Sequence, residues 1–442
     1  MRRIWRALLP EWANRNLKAI LAARVAMSVG RAIAAVVTAL YLAAIGFSAV
    51  EIGELFVAVT VVSAVLSTAI GFLADRYGRK PFLVVVPLVT AAAGVAYAQT
   101  RVTAVLFAAA ALGSFGRGSG AGAGNVGPYQ PAEAAMVADS AGGERRADAF
   151  GRIAFASTLG ALVGGLLAES VRTVPHMTAA QATAAYRPAF LIAAALAVGA
   201  ALLALLLREP VRAPHEDARP ARFRWPRRSW PALWRFWVTN ATNGAGIGLF
   251  GPFVSYWLYR RYGVTPGTIG LLFAIVNLGS LASTLAAARI ARHLGTVRAI
   301  AIVRAVGGAL LVPMVLAPAF WIAGAVYLLR MIVQRVGLPL RQSFTQDMAH
   351  PEERASVAAL SSLPAQATMA CGQAAAGYLF DDVSLAAPFE LAAAFQLVNS
   401  ILYVILFTLR PPPPAPAPAM PPARGSGEVG RSQDDSVVER SE

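Results

Sequence analysis

The sequence predicts an all-α membrane protein: twelve transmembrane helices arranged as two pseudo-symmetric six-helix bundles. Three observations carry that reading. Of 442 residues, 57% are hydrophobic and 14% charged, with a mean hydropathy of +0.56, outside the range of soluble globular domains. Apolar runs of roughly 18 to 25 residues recur along almost the whole chain, each long enough to cross about 30 Å of hydrocarbon as a helix. Segments of the first half also reappear in the second at a near-constant offset.

The basic opening, residues 1–18, precedes an apolar stretch that is too long for a signal peptide and has no small-residue cleavage site. It reads as a cytoplasmic N-terminal segment leading into a retained helix. Apolar windows weighed against breakers place spans 1 to 6 at about 19–45, 51–74, 81–99, 103–135, 150–168 and 188–207. Spans 7 to 12 follow at about 233–258, 267–290, 298–317, 319–338, 357–379 and 387–409. The bundles are therefore 19–207 and 233–409, joined by a basic cytoplasmic linker, 208–232, that contains RFRWPRR. Residues 410–442 are Pro-rich and then polar, with too little apolar surface to fold, and read as a disordered cytoplasmic tail.

A net charge of +16 would raise the question of nucleic acid in a soluble protein. Here the basic residues concentrate in alternate loops, the pattern of cytoplasmic loops enriched in Lys and Arg, so no nucleic-acid partner is expected. Arg76, Arg79, Lys80, Arg145, Arg146, the linker, Arg292, Arg298, Arg341 and Arg354 fall on one side with both ends of the chain, which places both termini inside. The other side carries Arg101, Arg172, Arg187, Arg260 and Arg261, partly balanced by Glu51, Glu169, Asp381 and Asp382. Cys371 is the one cysteine, which precludes an internal disulfide, and His176, His215, His293 and His350 have no metal-ligand spacing.

The repeat is specific. IGELF at 52–56 matches IGLLF at 269–273, and the same offset of 217 pairs Ser63 with Ser280, Ala74 with Ala291 and Gly78 with Gly295. At an offset of 208, Pro131 pairs with Pro339, Asp139 with Asp347 and Arg146 with Arg354. Spans 2 and 8 correspond, as do 4 and 10. Two parallel halves put the pseudo-twofold along the membrane normal with a cavity between them, and rocking one half against the other exposes that cavity to alternate sides.

The loop GFLADRYGRK, 71–80, resembles the signature between helices 2 and 3 of the major facilitator superfamily through Gly71, Leu73, Ala74, Asp75, Arg76, Gly78, Arg79 and Lys80. With the span count and the repeat, the chain is identified as a member over about residues 15–410. Physically, Gly71 permits close helix approach and Gly78 a positive φ in the turn, while Asp75 suits Arg79 or a facing helix N-terminus. The resemblance implies a gating latch formed by Gly71, Asp75, Arg76, Gly78, Arg79 and Lys80 against the start of span 11 near Ser356. The alternative for the Arg and Lys is topology alone. The second copy, ARIARHLGTVR, has Arg292 in place of Asp75, so the latch belongs to the first half.

Span 4 contains GRGSGAGAGNVGP, which resembles the family's motif around a membrane-embedded Arg, with Arg117 in that place but without the following Gln-Gly. Its glycines follow no strand and read as small-residue helix packing rather than a dinucleotide fingerprint. In span 5, ASTLGALVGG, 156–165, resembles the antiporter motif, with Gly160, Gly164 and Gly165 retained and Ala156 and Ala161 replacing Gly and Pro. That resemblance points toward efflux, and small-residue spacing also serves helix packing.

An ionisable side chain at mid-membrane costs about 3 kcal/mol on insertion scales, so each one is a functional candidate. Arg24 and Arg31 lie two turns apart on one face of span 1, and Arg330 and Arg335 lie in span 10. Arg24 either snorkels to the surface or joins Arg31 and Arg330 at a cavity. Glu54, Glu133 and Glu390 are the scarce acidic groups near span ends. Asn240, Asn243, Asn277, Gln334, Gln366, Gln373 and Asn399 either line a site or bond between helices. The substrate or proton pathway is accordingly sought among Arg24, Arg31, Glu54, Arg117, Asn240, Asn243, Arg330 and Gln334.

The expected function is secondary transport by alternating access, with proton-coupled efflux of small organic or amphipathic compounds as the first reading. Transport of an organic anion or metabolite is the alternative that buried arginines suit, and a non-transporting membrane receptor is the third. No paired carboxylates, His cluster, phosphate-binding loop or nucleophile motif supports an enzyme, and no cofactor or metal is expected. The partners expected are a small-molecule substrate, protons as coupling ion and the lipid bilayer of the cell membrane, with the protein acting as a monomer.

Overall fold

A computed structural model describes residues 12–115, 127–171, 177–209, 225–350 and 353–409. The chain forms α1 (Arg15–Ala44), α2 (Ala49–Tyr77), α3 (Lys80–Gln99), α4 (Thr103–Gly113), α5 (Gln130–Leu167) and α6 (Ala179–Leu205). The second half gives α7 (Trp230–Phe250), α8 (Val254–Tyr262), α9 (Pro266–Leu294), α10 (Thr296–Ala309), α11 (Leu311–Leu316), α12 (Phe320–Asp347), α13 (Arg354–Ser361), α14 (Leu363–Asp382) and α15 (Ala387–Val404). Among the described residues, eight helical stretches are long and apolar enough to cross a membrane, one of them joining α10 and α11 and one the second part of α5. The rest, which are shorter or carry Asn, Gln and Thr inward, complete the twelve spans.

Local chemistry explains where helices begin and break. Ser48 and Glu51 form a reciprocal capping box at the start of α2, and Thr178 and Gln181 do the same for α6. Span 9 is divided into α10 and α11 because Pro313 has no N–H to offer Ala309. Span 7 is interrupted at Gly251–Phe253, where Pro252 forces a tighter turn before α8. Span 4 departs most from expectation: α4 stops at Gly113, Ser114 is left-handed (φ 52°), and the next described helix begins at Gln130.

The residues expected to separate spans 4 and 5 are themselves helical, so α5 runs for 38 residues. A straight helix of that length would measure about 57 Å. Yet Glu133 meets Arg24 of α1 while a side chain at Gly160 would meet Val25 and Ser28, so both ends of α5 lie at one level of α1. The run therefore doubles back near Ser140, whose carbonyl accepts from Asn14 at 3.0 Å. Spans 4 and 5 remain separate crossings.

Within the first half, α1 packs on α5 and α6, α3 on α6 and α4; within the second, α7 packs on α14 and α15, and α10 and α9 on α12. The halves meet along two seams, α2 with α14 and α5 with α9. These seams are equivalent by the repeat. A Cβ on Gly53 would lie 2.8 Å from the Gln373 carbonyl and 3.4 Å from Gly377 Cα, and one on Gly270 would lie 2.1 Å from the Gly165 carbonyl. Backbone contact this close needs glycine on both seams.

Residues 12–16, 77–80, 139–140, 208–209, 225–230, 347–350 and 353 gather at one end of the bundle, here the terminal side. Gly46, Gly263 and Asp381 mark the far side. The hydrogen bonds that join the halves across the α2–α14 seam start from Ala49, Val50 and Thr60, in the far-side half of α2.

Candidate functional site

Arg24 and Glu133 form a buried ion pair between α1 and α5, 5% and 4% exposed. Their level in the bundle is set by Tyr129, which precedes α5 and is itself buried. Arg31, 6% exposed, lies on the same ring: the Arg24 and Arg31 guanidinium carbons stand 5.7 and 5.4 Å from the Tyr129 centroid. Gly127 makes room for this, since a Cβ there would come within 2.7 Å of Arg31 Nη1. Among the described residues, Arg31 Nε and Nη2 have no hydrogen-bond partner. Beside Arg31 is a cavity of about 10 Å³ lined by Met27, Gly30, Thr90, Ser114 and Ala193, with room for about one water.

The second half holds two further cations, Arg330 and Arg304, with no carboxylate paired to them among the described residues. Arg330 of α12 is 1% exposed, donates Nε–H to the Gly307 carbonyl at 3.0 Å and lies 4.2 Å over the Phe250 ring. Arg304 of α10 donates to Asn243 Oδ1 of α7 and, at 3.4 Å, to Gln396 Oε1 of α15. Among the described residues neither arginine, nor Arg31, has an ion-pair partner. A desolvated cation held only by neutral dipoles and ring faces is set to take an anion.

Of the residues singled out in the sequence, Arg24, Arg31, Asn243 and Arg330 join these two clusters. Glu54 does not: it is exposed on α2 near the far side, away from the arginines, because Gly53 rather than Glu54 turns toward α14. Asn240 donates to the Ser361 carbonyl at 2.8 Å and ties α7 to α13, and Gln334 is half-buried on α12. Arg117 and the side chain of Asp75 lie outside the described residues. Arg304, Tyr129 and Gln396 were not anticipated. Arg304 stands in the apolar run AIAIVRAVGG, where the rule that found Arg330 applies equally.

The signature loop sits on the terminal side. Gly78 has φ +89° and its repeat mate Gly295 +76°, the left-handed turn that an L side chain resists. Arg79 pairs with Asp139, and the backbone N–H groups of Arg79 and Lys80 donate to Glu209 at 2.6 and 3.3 Å, so a carboxylate caps α3. Asp139 belongs to the first half and Glu209 to the start of the linker that follows it. Arg76 is exposed over Tyr77, and a Cβ at Gly71 would stand 3.9 Å from Pro131, an ordinary contact rather than the close approach expected there. Gly160 and Gly164 face α1, where added Cβ atoms would lie 2.7 Å from the Val25 carbonyl and 2.4 Å from the Val29 carbonyl. Gly165 faces α9.

A second carboxylate cap starts α7. Glu353 accepts from the Arg228 and Ser229 N–H groups at 3.3 and 2.8 Å, and Ser229 Oγ accepts from His350 N–H at 2.9 Å. Desolvation works against the Glu353 carboxylate, but the bonds from Ser229 and Arg228 and the nearby His350 outweigh it and hold the carboxyl below its ordinary range.

The sequence model of the Major Facilitator Superfamily matches residues 20–241 and 236–432. No curated protein matches the chain. Solved structures share the fold at low identity. The nucleoside transporter NupG, as its D323A mutant, superposes with a TM-score of 0.67 at 14% identity over 89% of this chain and 100% of its own. A bacterial homologue of the human lysosomal transporter Spinster, inward-facing and unoccupied, gives 0.64 at 15% over 90% and 96%. A bacterial metal transporter gives 0.66 at 14% over 90% and 99%.

Proposed function

Because the chain belongs to the major facilitator superfamily and is a membrane transporter rather than an enzyme, we propose that it carries a small organic anion by alternating access, coupled to protons. The observation that carries this reading is the charge balance of the buried arginines. The one carboxylate in contact with them, Glu133, is taken by Arg24, which leaves buried Arg31 and Arg330 and half-buried Arg304 without a counter-ion among the described residues. Each such charge costs about 3 kcal/mol in a span, and an anionic substrate offsets that cost.

Proton coupling rests on the same pair. Glu133 leaves Arg24 as a neutral acid if it takes up a proton, and an anion arriving at Arg31 then supplies the counter-charge that Arg24 would otherwise lack. Lys and Arg are concentrated in the terminal-side loops, which makes that side cytoplasmic and the seams near Gly53 and Gly270 the outer closure. The molecule then stands inward-facing in the cell membrane, as a monomer.

A second reading, proton-driven efflux of amphipathic compounds, is favoured by the resemblance of 156–165 to the antiporter motif and by the tight packing of Gly160 and Gly164 on α1. Ligand-induced thermal stabilisation of the purified full-length protein separates the two. Organic mono- and dicarboxylates and phosphate esters are expected to stabilise the wild type, by about 2.7 kcal/mol at a hundredfold excess over Kd. Arg330→Ala is expected to lose the shift. Stabilisation by lipophilic cations alone refutes the anion reading in favour of the second.

A further inference from the structure

We infer that Asp381 is a far-side latch: its carboxylate, at the end of α14, clamps the first turn of α2 across the seam between the halves, and Glu169 holds the equivalent place on the other seam. Asp381 Oδ1 accepts from Ala49 N–H at 3.2 Å and Oδ2 from Val50 N–H at 3.0 Å. The next donor of α2, Glu51 N–H, goes to Ser48 Oγ at 3.1 Å, while Ser48 N–H goes to Glu51 Oε2 at 2.8 Å. The first three amides of the helix are thus satisfied, two of them by the opposite half.

The placement makes sense only across the seam. A carboxylate at the C-terminus of its own helix faces the negative end of the macrodipole and destabilises it, whereas at a helix N-terminus it is favourable. Asp381 is C-terminal on α14 and N-terminal to α2. Glu169 likewise follows the C-terminus of α5 and packs on the start of α9, where a Cβ on Gly267 would lie 3.0 Å from Glu169 Cα and Cγ.

The sequence carries the same symmetry. LAESV at 167–171 matches LFDDV at 379–383, pairing Glu169 with Asp381, and the offset of 217 that pairs Gly53 with Gly270 also pairs Val50 with Gly267. Asp381 and Glu169 therefore lie against equivalent residues of the opposite halves. The two are unequal: Pro266 stands where α2 has Ala49, so α9 lacks one of the two donors. Asp381 is the stronger clamp. Opening the far side must pull α2 off this carboxylate and hand both amides to water, so the contact weights the transport cycle toward far-side closure.

The test is a distance measurement on the full-length protein in lipid. Spin labels go on the exposed far-side loop positions Arg101→Cys and Ala319→Cys, one in each half, with the native cysteine removed by Cys371→Ala. Asp381→Asn, which keeps the shape and one acceptor, and Asp381→Ala are expected to raise the ratio of far-side-open to far-side-closed molecules roughly five-fold, the size expected from losing one charge at a helix N-terminus. Asp381→Glu is expected to stay near wild type, and Glu169→Gln to give a smaller rise. A folded Asp381→Asn variant with an unchanged distance distribution overturns the latch, even if its unfolding temperature falls. So does an equal response to Asp382→Asn, the adjacent carboxylate that bonds neither amide.

Discussion

Glu133 pairs with Arg24 on one flank of the Tyr129 ring, while Arg31, two turns along the same helix, occupies the ring with no carboxylate of its own. One buried acid serving two buried bases sets the electrostatics of the first half. Whatever removes the acid strands a cation.

That imbalance fixes the cost of breaking the pair. Glu133→Ala leaves Arg24 desolvated and unpartnered, and is expected to lower stability by about 3–5 kcal/mol. The double variant Arg24→Met, Glu133→Met is expected to recover most of it, because two apolar side chains avoid the desolvation of two charges. Thermal unfolding of the single and double variants in one detergent checks the non-additivity.

Close approach predicts where volume is forbidden. Gly164→Leu forces a side chain into the Val29 carbonyl and is expected to cost at least about 1–3 kcal/mol by overpacking. Gly199→Ala, where nothing lies within 4 Å of the added Cβ, is expected to be neutral or slightly stabilising. Unfolding temperatures of the two variants measure the contrast.

The cap on α7 predicts an acid limb. The folded pKa of Glu353 is depressed below its ordinary 4.5, so its contribution is complete above about that pH and is lost as pH falls through the lowered folded value. Glu353→Gln is expected to lose stability at neutral pH and to flatten the decline between neutral and acidic pH. Unfolding temperature against pH for wild type and variant gives the slope difference.

Arg330 is held by geometry as well as charge, through one carbonyl and one ring face. Arg330→Lys preserves the cation but not the planar stack over Phe250, and is expected to reduce transport at least ten-fold, close to the loss in Arg330→Ala. Initial rates in proteoliposomes with equal protein content compare the three.

Much of this architecture is legible in the chain because hydrocarbon imposes a length and a composition on every crossing. The pairing of Gly78 with Gly295 announced two equivalent turns, and both have positive φ. Tertiary partners were not legible: nothing local to span 1 says that Arg24 meets Glu133, 109 residues away, or that Asp381 meets α2. The division of span 4 at Ser114 escaped because a serine carries no marker of a left-handed turn, and the helical character of the connection between spans 4 and 5 escaped because Gly142 and Gly143 read as breakers although Ala, Glu and Arg at 141–147 are helix formers. Arg304 was visible by the rule that found Arg330. Its partners Asn243 and Gln396, on two other helices, were not.

If the buried arginines carry an anionic substrate through the molecule, tracer flux through reconstituted protein will follow them. Proteoliposomes under an imposed pH gradient are loaded with a panel of labelled organic anions, neutral compounds and cations. At least one anion is expected to move in a proton-dependent, saturable manner, and its movement to be abolished by Arg31→Ala and by Arg330→Ala in folded protein. Movement of cations or neutral compounds alone, or anion flux unchanged by both variants, would contradict it.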